Sequence, residues 1–468
     1  MSEPTPDCPG CQALPALQAQ VAALQAEVAD LRARLEQNST NSSRPPSSDP
    51  PWQPKPNRHQ PTGRKRGGQP GHRGQRRACV APDQVDARHE YVPVQCTHCQ
   101  AALPPGAPLE ERAWVHQVVE LPEIRPQVTE HVRRACRCPA CGKRTWARLP
   151  PGVSPSGAGP RLHATVALLT GKGQMSRRNT RECLAAVFRL PLALGTISKI
   201  ERRVAAALAG PEREVAAAVQ AAGVVYSDET RWREGKQHPW LWVLSTLSCC
   251  LFRITDHRDR ESFASLFGED GAARTLVSDR YSVYGHLPAA RQGYCWAHLD
   301  RDFLAVAQSG NPLSFLGRYC LEAVDQLFAH WQQFRLGMLD RAALATALAP
   351  VQVRLRTWLT WGAAAGGKKL AGFFGNLLGH WESLWVFVTT AGVEPTNNRS
   401  ERLLRPGVRW RKTSYGTQSH AGRCYAERLL TVTGTLALQG RSLFPFLLDA
   451  CRAAVGDGAT PSLLPSPL

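Results

Sequence analysis

Apolar positions near the start of the chain recur at alternating three- and four-residue steps: Leu14, Leu17, Val21, Leu24, Val28, Leu31 and Leu35. This is a heptad seam filled out by Ala, Gln, Glu and Arg, and it predicts a coiled-coil dimerisation segment over 1–37. From 38 to 80 the seam is replaced by Asn, Ser, Pro, Gly and basic residues. No period remains there on which a core can form, so the stretch reads as a disordered arm. Beyond a Pro/Gly/Ser linker, apolar stripes over 162–170, 176–187 and 196–208 predict a helical segment at 160–210. Within it, L-P-L-A-L-G-T-I-S-K-I-E-R-R is similar to the turn and recognition helix of a helix-turn-helix, and a plain helical bundle fits as well.

The pattern then changes to short apolar runs. Strands are expected at 223–227, 240–248, Cys250–Thr255 and Thr275–Ser278, with a helix at Arg260–Phe267 and a short strand at 293–295 feeding a helix over 297–307. Strands followed by helices predict a mixed sheet flanked by helices, an α/β core whose first part spans 220–310. Amphipathic stretches at 312–336, 341–361 and 373–388 make 311–392 an all-helical insertion, with Trp331, Trp358, Trp361, Trp381 and Trp385 in its core. Helices of the core resume over 393–455, and 456–468 is a Pro/Gly/Ser-rich tail. The chain as a whole reads as multidomain α+β.

Three carboxylates stand out against this pattern. In V-V-Y-S-D-E-T-R-W the apolar run stops at Asp228, and in T-L-V-S-D-R-Y-S-V-Y-G another stops at Asp279. Each leaves a carboxylate at the mouth of a sheet. N-N-R-S-E-R-L-L-R-P puts Glu401 on a helix that follows a capping Thr396-Asn397 pair. An isolated Asp at a strand end is ordinarily a turn cap. Three acids in such contexts can instead converge on hard cations, Mg²⁺ or Mn²⁺. Two such ions about 3.5–4 Å apart clamp the attacking and leaving oxygens of a phosphoryl displacement. Glu394, in a Glu-Pro turn, is the second choice for the third ligand; Glu229 faces the other side of its strand. His298 and Asp302 read as neighbours of the site rather than ligands.

Charge and cysteines add partners. A net charge of +19 and a pI near 9.7 point to nucleic acid. Arg64, Lys65, Arg66, Arg73, Arg76 and Arg77 of the arm can lie along phosphates or in a narrow minor groove. Arg402, Arg405, Arg411 and Lys412, with Arg399 and Arg409, surround Glu401 with enough positive charge to draw a DNA strand over it. Fifteen cysteines, unevenly spread, do not resemble a disulfide scaffold. Cys96-Thr-His-Cys99 and Cys138-Pro-Ala-Cys141 are paired knuckles suited to a structural Zn²⁺, which defines a zinc-ribbon-like DNA-binding module over 81–150. A hairpin of 113–121 and 127–134 is expected between them, with His98 and Cys136 as spare ligands. Cys8-Pro-Gly-Cys11 is at most half a zinc site. The most apolar window, 240–252, is too short to span a bilayer, and no leader pattern opens the chain, so a cytoplasmic, nucleoid-associated protein without membrane contact is expected.

The motifs around Asp228, Asp279 and Glu401, together with C-W-A-H-L-D-R-D-F at 295–303, resemble transposases of the insertion sequence 66 family. N-S-T-N-S-S-R-P-P-S-S-D resembles that family's N-terminal segment, and the cysteine knuckles fall where its zinc-finger-like domain does. The resemblance implies an Asp-Asp-Glu recombinase with an RNase H-like catalytic fold. Asp228, Asp279 and Glu401 would then be the catalytic residues and hold two ions. The implied activity is cleavage of double-stranded DNA at an element's ends and strand transfer into target DNA, by a homodimer or higher oligomer, with accessory proteins of the same element as further partners. Two other readings are a catalytically silent DNA-binding regulator or relic, and an RNase H-like nuclease without strand transfer.

Overall fold

The computed structural model describes residues 9–35, 37–39, 41, 71, 78–106, 108–109, 114–268 and 273–465. Two compact units divide the chain: Lys55–Arg125, and Met1–Pro54 together with Pro126–Leu468. Arg64, Lys65, Arg66, Arg73, Arg76, Arg77 and Cys8 lie outside the described residues.

In the smaller unit the described residues form a 3-10 turn at Pro82–Gln84 and an isolated bridge between Gln95 and Ala102. Gln117 closes a two-bond clasp on Val80, accepting from its N–H at 2.8 Å and donating to its carbonyl at 3.0 Å. Where a hairpin of 113–121 and 127–134 is expected, the described residues of both stretches carry no strand. Val115, Val118, Val119, Val128 and Val132 are all exposed. A β-branched run pairs only where a neighbouring strand or a buried face rewards it.

The larger unit begins with helix α1 (Pro9–Leu35), along which Leu17, Val21, Leu24, Val28, Leu31 and Leu35 are exposed. A short hairpin, β1 (Ala135–Arg137) with β2 (Arg144–Trp146), holds the second cysteine pair in its turn. Four helices follow: α2 (Pro160–Ala167), α3 (Arg177–Phe188), α4 (Leu194–Ala207) and α5 (Ala209–Ala221). Ser176 caps α3 by accepting the N–H of Asn179. Ile197, Ile200 and Val204 of α4 are buried in the same core as the main sheet.

Five strands build that sheet: β3 (Val224–Arg231), β4 (Trp240–Ser245), β5 (Cys250–Thr255), β6 (Thr275–Ser278) and β7 (Gln292–Tyr294). Helix α6 (Arg260–Phe267) crosses between β5 and β6. The spatial order is β5-β4-β3-β6-β7, with the first three antiparallel and β6 and β7 parallel to β3. After β7 come α7 (Trp296–Ala307), α8 (Ser314–Arg335), α9 (Arg341–Ala365), α10 (Lys368–Gly379), α11 (Val386–Thr389), α12 (Asn398–Ser414), α13 (His420–Leu438) and α14 (Leu443–Ala453).

Strand alternation divides the hydrophobic core in two. Val225 and Leu276 face the cluster that includes α4, α5, α13 and α14; Tyr226 and Val277 face the one built from α7 to α11. Helix α12 lies close on the strands because Gly407 carries no side chain: a Cβ there would stand 2.5 Å from the Leu241 Cδ2.

The outer edge of β5 is closed by side chains of α13 rather than by another strand. The N–H groups of Cys250, Phe252 and Ile254 donate to Thr435 Oγ1 at 3.0 Å, Thr431 Oγ1 at 2.9 Å and Glu427 Oε1 at 2.7 Å. Every second strand residue advances about 6.6 Å, and every fourth helix residue about 6 Å. The two periods match closely enough for three successive bonds. The edge is thereby denied to any other chain.

Two predictions follow from this edge. Thr431→Val keeps the shape but strands the buried Phe252 N–H, and should cost about 1–3 kcal/mol in chemical denaturation. Burial, the first cause, and the charge of Glu212 push Glu427 up to about 7, against the Ile254 N–H and the Arg253 and Arg423 charges. Its folded pKa exceeds its unfolded one. Its stabilising contribution is therefore complete below the usual Glu range and is lost as pH rises through about 7. Glu427→Gln should remove a pH-dependent loss on the order of 3 kcal/mol between pH 5 and 8, read as the flattening of unfolding free energy against pH.

Candidate active site

Asp228 lies in mid-strand, not at a strand end as its sequence context suggests. The antiparallel ladder with β4 continues from Tyr226↔Ser245 to Arg231↔Trp240, so β3 runs on beyond the acid. What ends near Asp228 is the parallel ladder: Val224↔Thr275, Val225↔Leu276 and Tyr226↔Val277 are its pairs. Two residues further on in each chain stand Asp228 and Asp279. Asp228 is still within β3, whereas Asp279 stands one residue past the end of β6, close enough for its charge to act on Asp228 and also on Glu229.

Glu401 comes from the first turn of α12, and Asn397 sets that turn in place. Asn397 Nδ2 donates to the Ser227 carbonyl at 2.7 Å, and its backbone N–H donates to Cys295 Sγ at 3.2 Å. One residue thus ties the helix of Glu401 to the strand of Asp228 and to the start of α7. Ser400 Oγ meets Ser245 Oγ at 3.4 Å on the neighbouring strand.

The three carboxyls share one electrostatic neighbourhood. Asp228 is held well above the usual range by burial first, and then by the charges of Glu229, Asp279 and Glu401. Asp279 is also raised by burial, against the Tyr281 N–H bond and the Arg258 and Arg280 cations. Oε1 of Glu401 is buried and has no hydrogen-bond partner among the described residues, although Arg301 stands 3.5 Å away. Oδ1 of Asn397 is likewise buried and without a partner among them. A buried Asp228 raised by the charges of Asp279 and Glu401, with an unpartnered buried oxygen on Glu401, fits a divalent cation with oxygen ligands.

Glu229 points to the opposite face, where Arg258 and Tyr284 donate to its carboxylate. Arg258 also lies over the Tyr281 ring, 3.5 Å from its centroid. Glu394 is engaged by Arg399 at 3.3 Å, and Asp302 by Arg280. His298, expected only as a neighbour, brings Nδ1 to 3.7 Å from Glu401 Oε1. Burial first, then Arg301 and Arg280, pushes His298 down to about 4, so the ring is neutral near pH 7. Sequence reasoning missed Cys295, Arg301 and Asn397 as parts of this neighbourhood. The Cys295-x-x-His298 spacing at a strand-to-helix junction was the available signal.

The basic residues of α12 separate into two groups. Arg402, Arg405, Arg409 and Lys412 are exposed and fall at three- and four-residue steps, one stripe of the helix. Arg411, expected beside them, is turned inward and donates to the Arg231 carbonyl. Arg399 is also turned in, donating to the Leu247 carbonyl.

The two cysteine pairs have the same local form. Cys96 N–H donates to Ala101 O at 2.9 Å and Gln100 N–H to Cys96 O at 3.0 Å; Cys138 and Gly142 repeat the pattern at 2.9 and 2.8 Å. Gln100 and Gly142 both take positive φ to close these turns. Backbone N–H groups, first of Cys99 and then His98, lower the Cys96 thiol; those of Cys141 and then Ala140 lower Cys138. Cys96 and Cys99 belong to the smaller unit, Cys138 and Cys141 to the larger.

Asp228 on β3, Asp279 just past β6 and Glu401 on α12 share an electrostatic neighbourhood beside a basic helical stripe, but among the described residues the donor atoms that come within 4.8 Å of one another are those of Cys295, His298 and Glu401. The family model described as Transposase IS66 family matches residues 156–424, more than half of the chain, and the chain belongs to this family. Residues 10–78 match a family of unknown function (DUF6444). No curated protein matches the chain. No described helix is long and apolar enough to cross a membrane.

Metal-free protein should show the strain of the acid cluster. Because the folded pKa of Asp228 is raised, stability is lost as pH rises through it. In EDTA, Asp228→Asn should melt above wild type, by a margin that widens from pH 5 to pH 8. Mg²⁺ should raise the wild-type melting temperature and move the variant less. Superimposable wild-type and variant curves in EDTA at every pH would contradict this reading.

Proposed function

We propose that the chain is a DNA transposase whose Asp228, Asp279 and Glu401 hold two Mg²⁺ or Mn²⁺ ions and catalyse cleavage at element ends and strand transfer. The observation that carries the reading is the parallel pairing of β3 with β6, which sets Asp228 beside the chain that leaves β6 for Asp279, with the helix of Glu401 tied to β3 by Asn397. The order β5-β4-β3-β6-β7, antiparallel then parallel, supports an RNase H-like core. Bound there, the cations would supply Lewis-acid activation of the attacking oxygen and charge neutralisation at the leaving oxygen. Asp228 would present its oxygens from within a strand and Asp279 from the turn just past β6, and Asn397 orients the first turn of α12. Arg402, Arg405, Arg409 and Lys412 form a track of about 15 Å along the helix, which offers neighbouring phosphates a run of cations. A structural-zinc role for the Cys96/Cys99 pair and for the Cys138/Cys141 pair belongs to the same reading, supported by the matching turns around each. So do end binding by the basic arm and self-association through the exposed seam of α1.

The test uses a duplex bearing the inverted repeats that flank the gene. Wild type should nick it in Mg²⁺ and join the freed 3′-hydroxyl to a second DNA. Asp228→Asn should lose both steps by at least about a thousandfold yet bind the duplex with unchanged affinity. The Arg402→Ala, Arg405→Ala pair should weaken binding and flatten its salt dependence by about two units of slope. Undiminished cleavage by Asp228→Asn would refute the catalytic assignment. Nicking without a joined product would favour a nuclease.

A further inference from the structure

Beside the acid cluster, Cys295, His298 and Glu401 place one donor atom each within 4.8 Å of one another. We propose that these three residues form a separate cation site of the zinc class that shares Glu401 with the acid cluster, so that filling it withdraws Glu401 and arrests the enzyme. The inference rests on the reading of Glu401 as the third carboxylate of the active site.

The fold builds the site at one junction. Chain leaving β7 turns at Cys295, whose N–H donates to the Ser278 carbonyl at 3.1 Å, and enters α7. His298 follows in the first turn of α7, so its ring and the Cys295 sulfur lie at the same end of the helix. Glu401 arrives from α12, held there by the Asn397 N–H bond to that sulfur at 3.2 Å. The sulfur is therefore already an acceptor, the role it would keep as a thiolate.

Donor spacing and donor type both select the ion. In a tetrahedral zinc site with bonds of about 2.0–2.3 Å, neighbouring donors stand about 3.5 Å apart. His298 Nδ1 and Glu401 Oε1 are already 3.7 Å apart. Both atoms are buried and lack a hydrogen-bond partner among the described residues. A rotamer adjustment of about 1 Å would close the rest of the triangle. Sulfur and imidazole nitrogen are poor ligands for Mg²⁺ and good ones for Zn²⁺. Charge also balances: the thiol gives its proton to solvent, and thiolate plus carboxylate then neutralise a dication. The Arg301 guanidinium, 3.5 Å from Glu401, consequently meets a neutral site rather than a second positive charge. A water would complete the fourth position.

Cobalt(II), a spectroscopic stand-in for Zn²⁺, tests binding without reference to activity. Titrated into the metal-free full-length protein, wild type should take up about one equivalent more than Cys295→Ser, with a stronger thiolate charge-transfer band. The knuckle cysteines are intact in both proteins and cancel in the comparison. His298→Gln should show the same loss, and circular dichroism of each variant establishes that it is folded. In nicking assays at fixed millimolar Mg²⁺, micromolar Zn²⁺ should slow wild type by about tenfold or more and leave Cys295→Ser within about twofold of its own zinc-free rate. Equal cobalt uptake by wild type and both variants overturns the site, whatever the activities. Equal zinc inhibition of wild type and Cys295→Ser overturns its regulatory role. Continued nicking by Glu401→Gln is a different failure: it removes Glu401 from catalysis while the cobalt difference stands.

Discussion

The parallel pairing of β3 with β6 is the constraint from which the candidate site descends. Its three residue pairs end two residues before each acid: β3 runs on through Asp228, and the chain leaves β6 at Ser278, one residue before Asp279. A slip of one residue in β3 would turn Asp228 to the opposite face. The slip is opposed from both sides of the sheet. Val225 and Leu276 are buried in one core cluster, Tyr226 and Val277 in the other, and the one polar group among them, the Tyr226 hydroxyl, is bonded to the Gly392 carbonyl and the Glu394 N–H. Apolar burial thus specifies the position of charge. Burying two acids near one another is unfavourable, and the flanking hydrophobic pairs are what make the arrangement tolerable.

Helix α12 is tied to β3, to β4 and to the start of α7 through polar contacts at its first turn. Asn397 reaches the Ser227 carbonyl and the Cys295 sulfur, and Ser400 meets Ser245. Further along, Gly407 admits the helix closely against Leu241. The first turn therefore depends on a few directional bonds, while the middle is held by packing. Glu401 sits in that first turn, between an acid cluster on one side and the Cys295–His298 pair on the other. A side chain so placed has two sets of partners, and the identity of the available cation can decide between them.

The far edge of the sheet shows a different economy of structure. Side chains of Glu427, Thr431 and Thr435 replace the missing strand partner of β5, because helix and strand repeats nearly coincide over that length. The helix that closes the edge also contributes Leu429, Val432 and Leu436 to the core. Polar and apolar faces of α13 thus do separate tasks, and the β5 edge is finished without an exposed ladder.

Local pattern was enough to read the strands at Cys250–Thr255 and Thr275–Ser278 and the helix at Arg260–Phe267, since alternation and capping are properties of neighbouring residues. The amphipathic helices after residue 311 were legible for the same reason. Propensity without a partner misled at 113–121 and 127–134, where β-branched residues have no face to bury. Equally, no local signal told that β3 runs past Asp228, because its extension depends on β4 lying alongside. The inward turn of Arg411 and the meeting of Cys295, His298 and Glu401 join residues distant in sequence. Composition and periodicity determined which residues carry charge, which form elements and which face a core. Register, and with it which charges face one another, was decided by tertiary packing, because buried surface is shared between segments and belongs to neither alone.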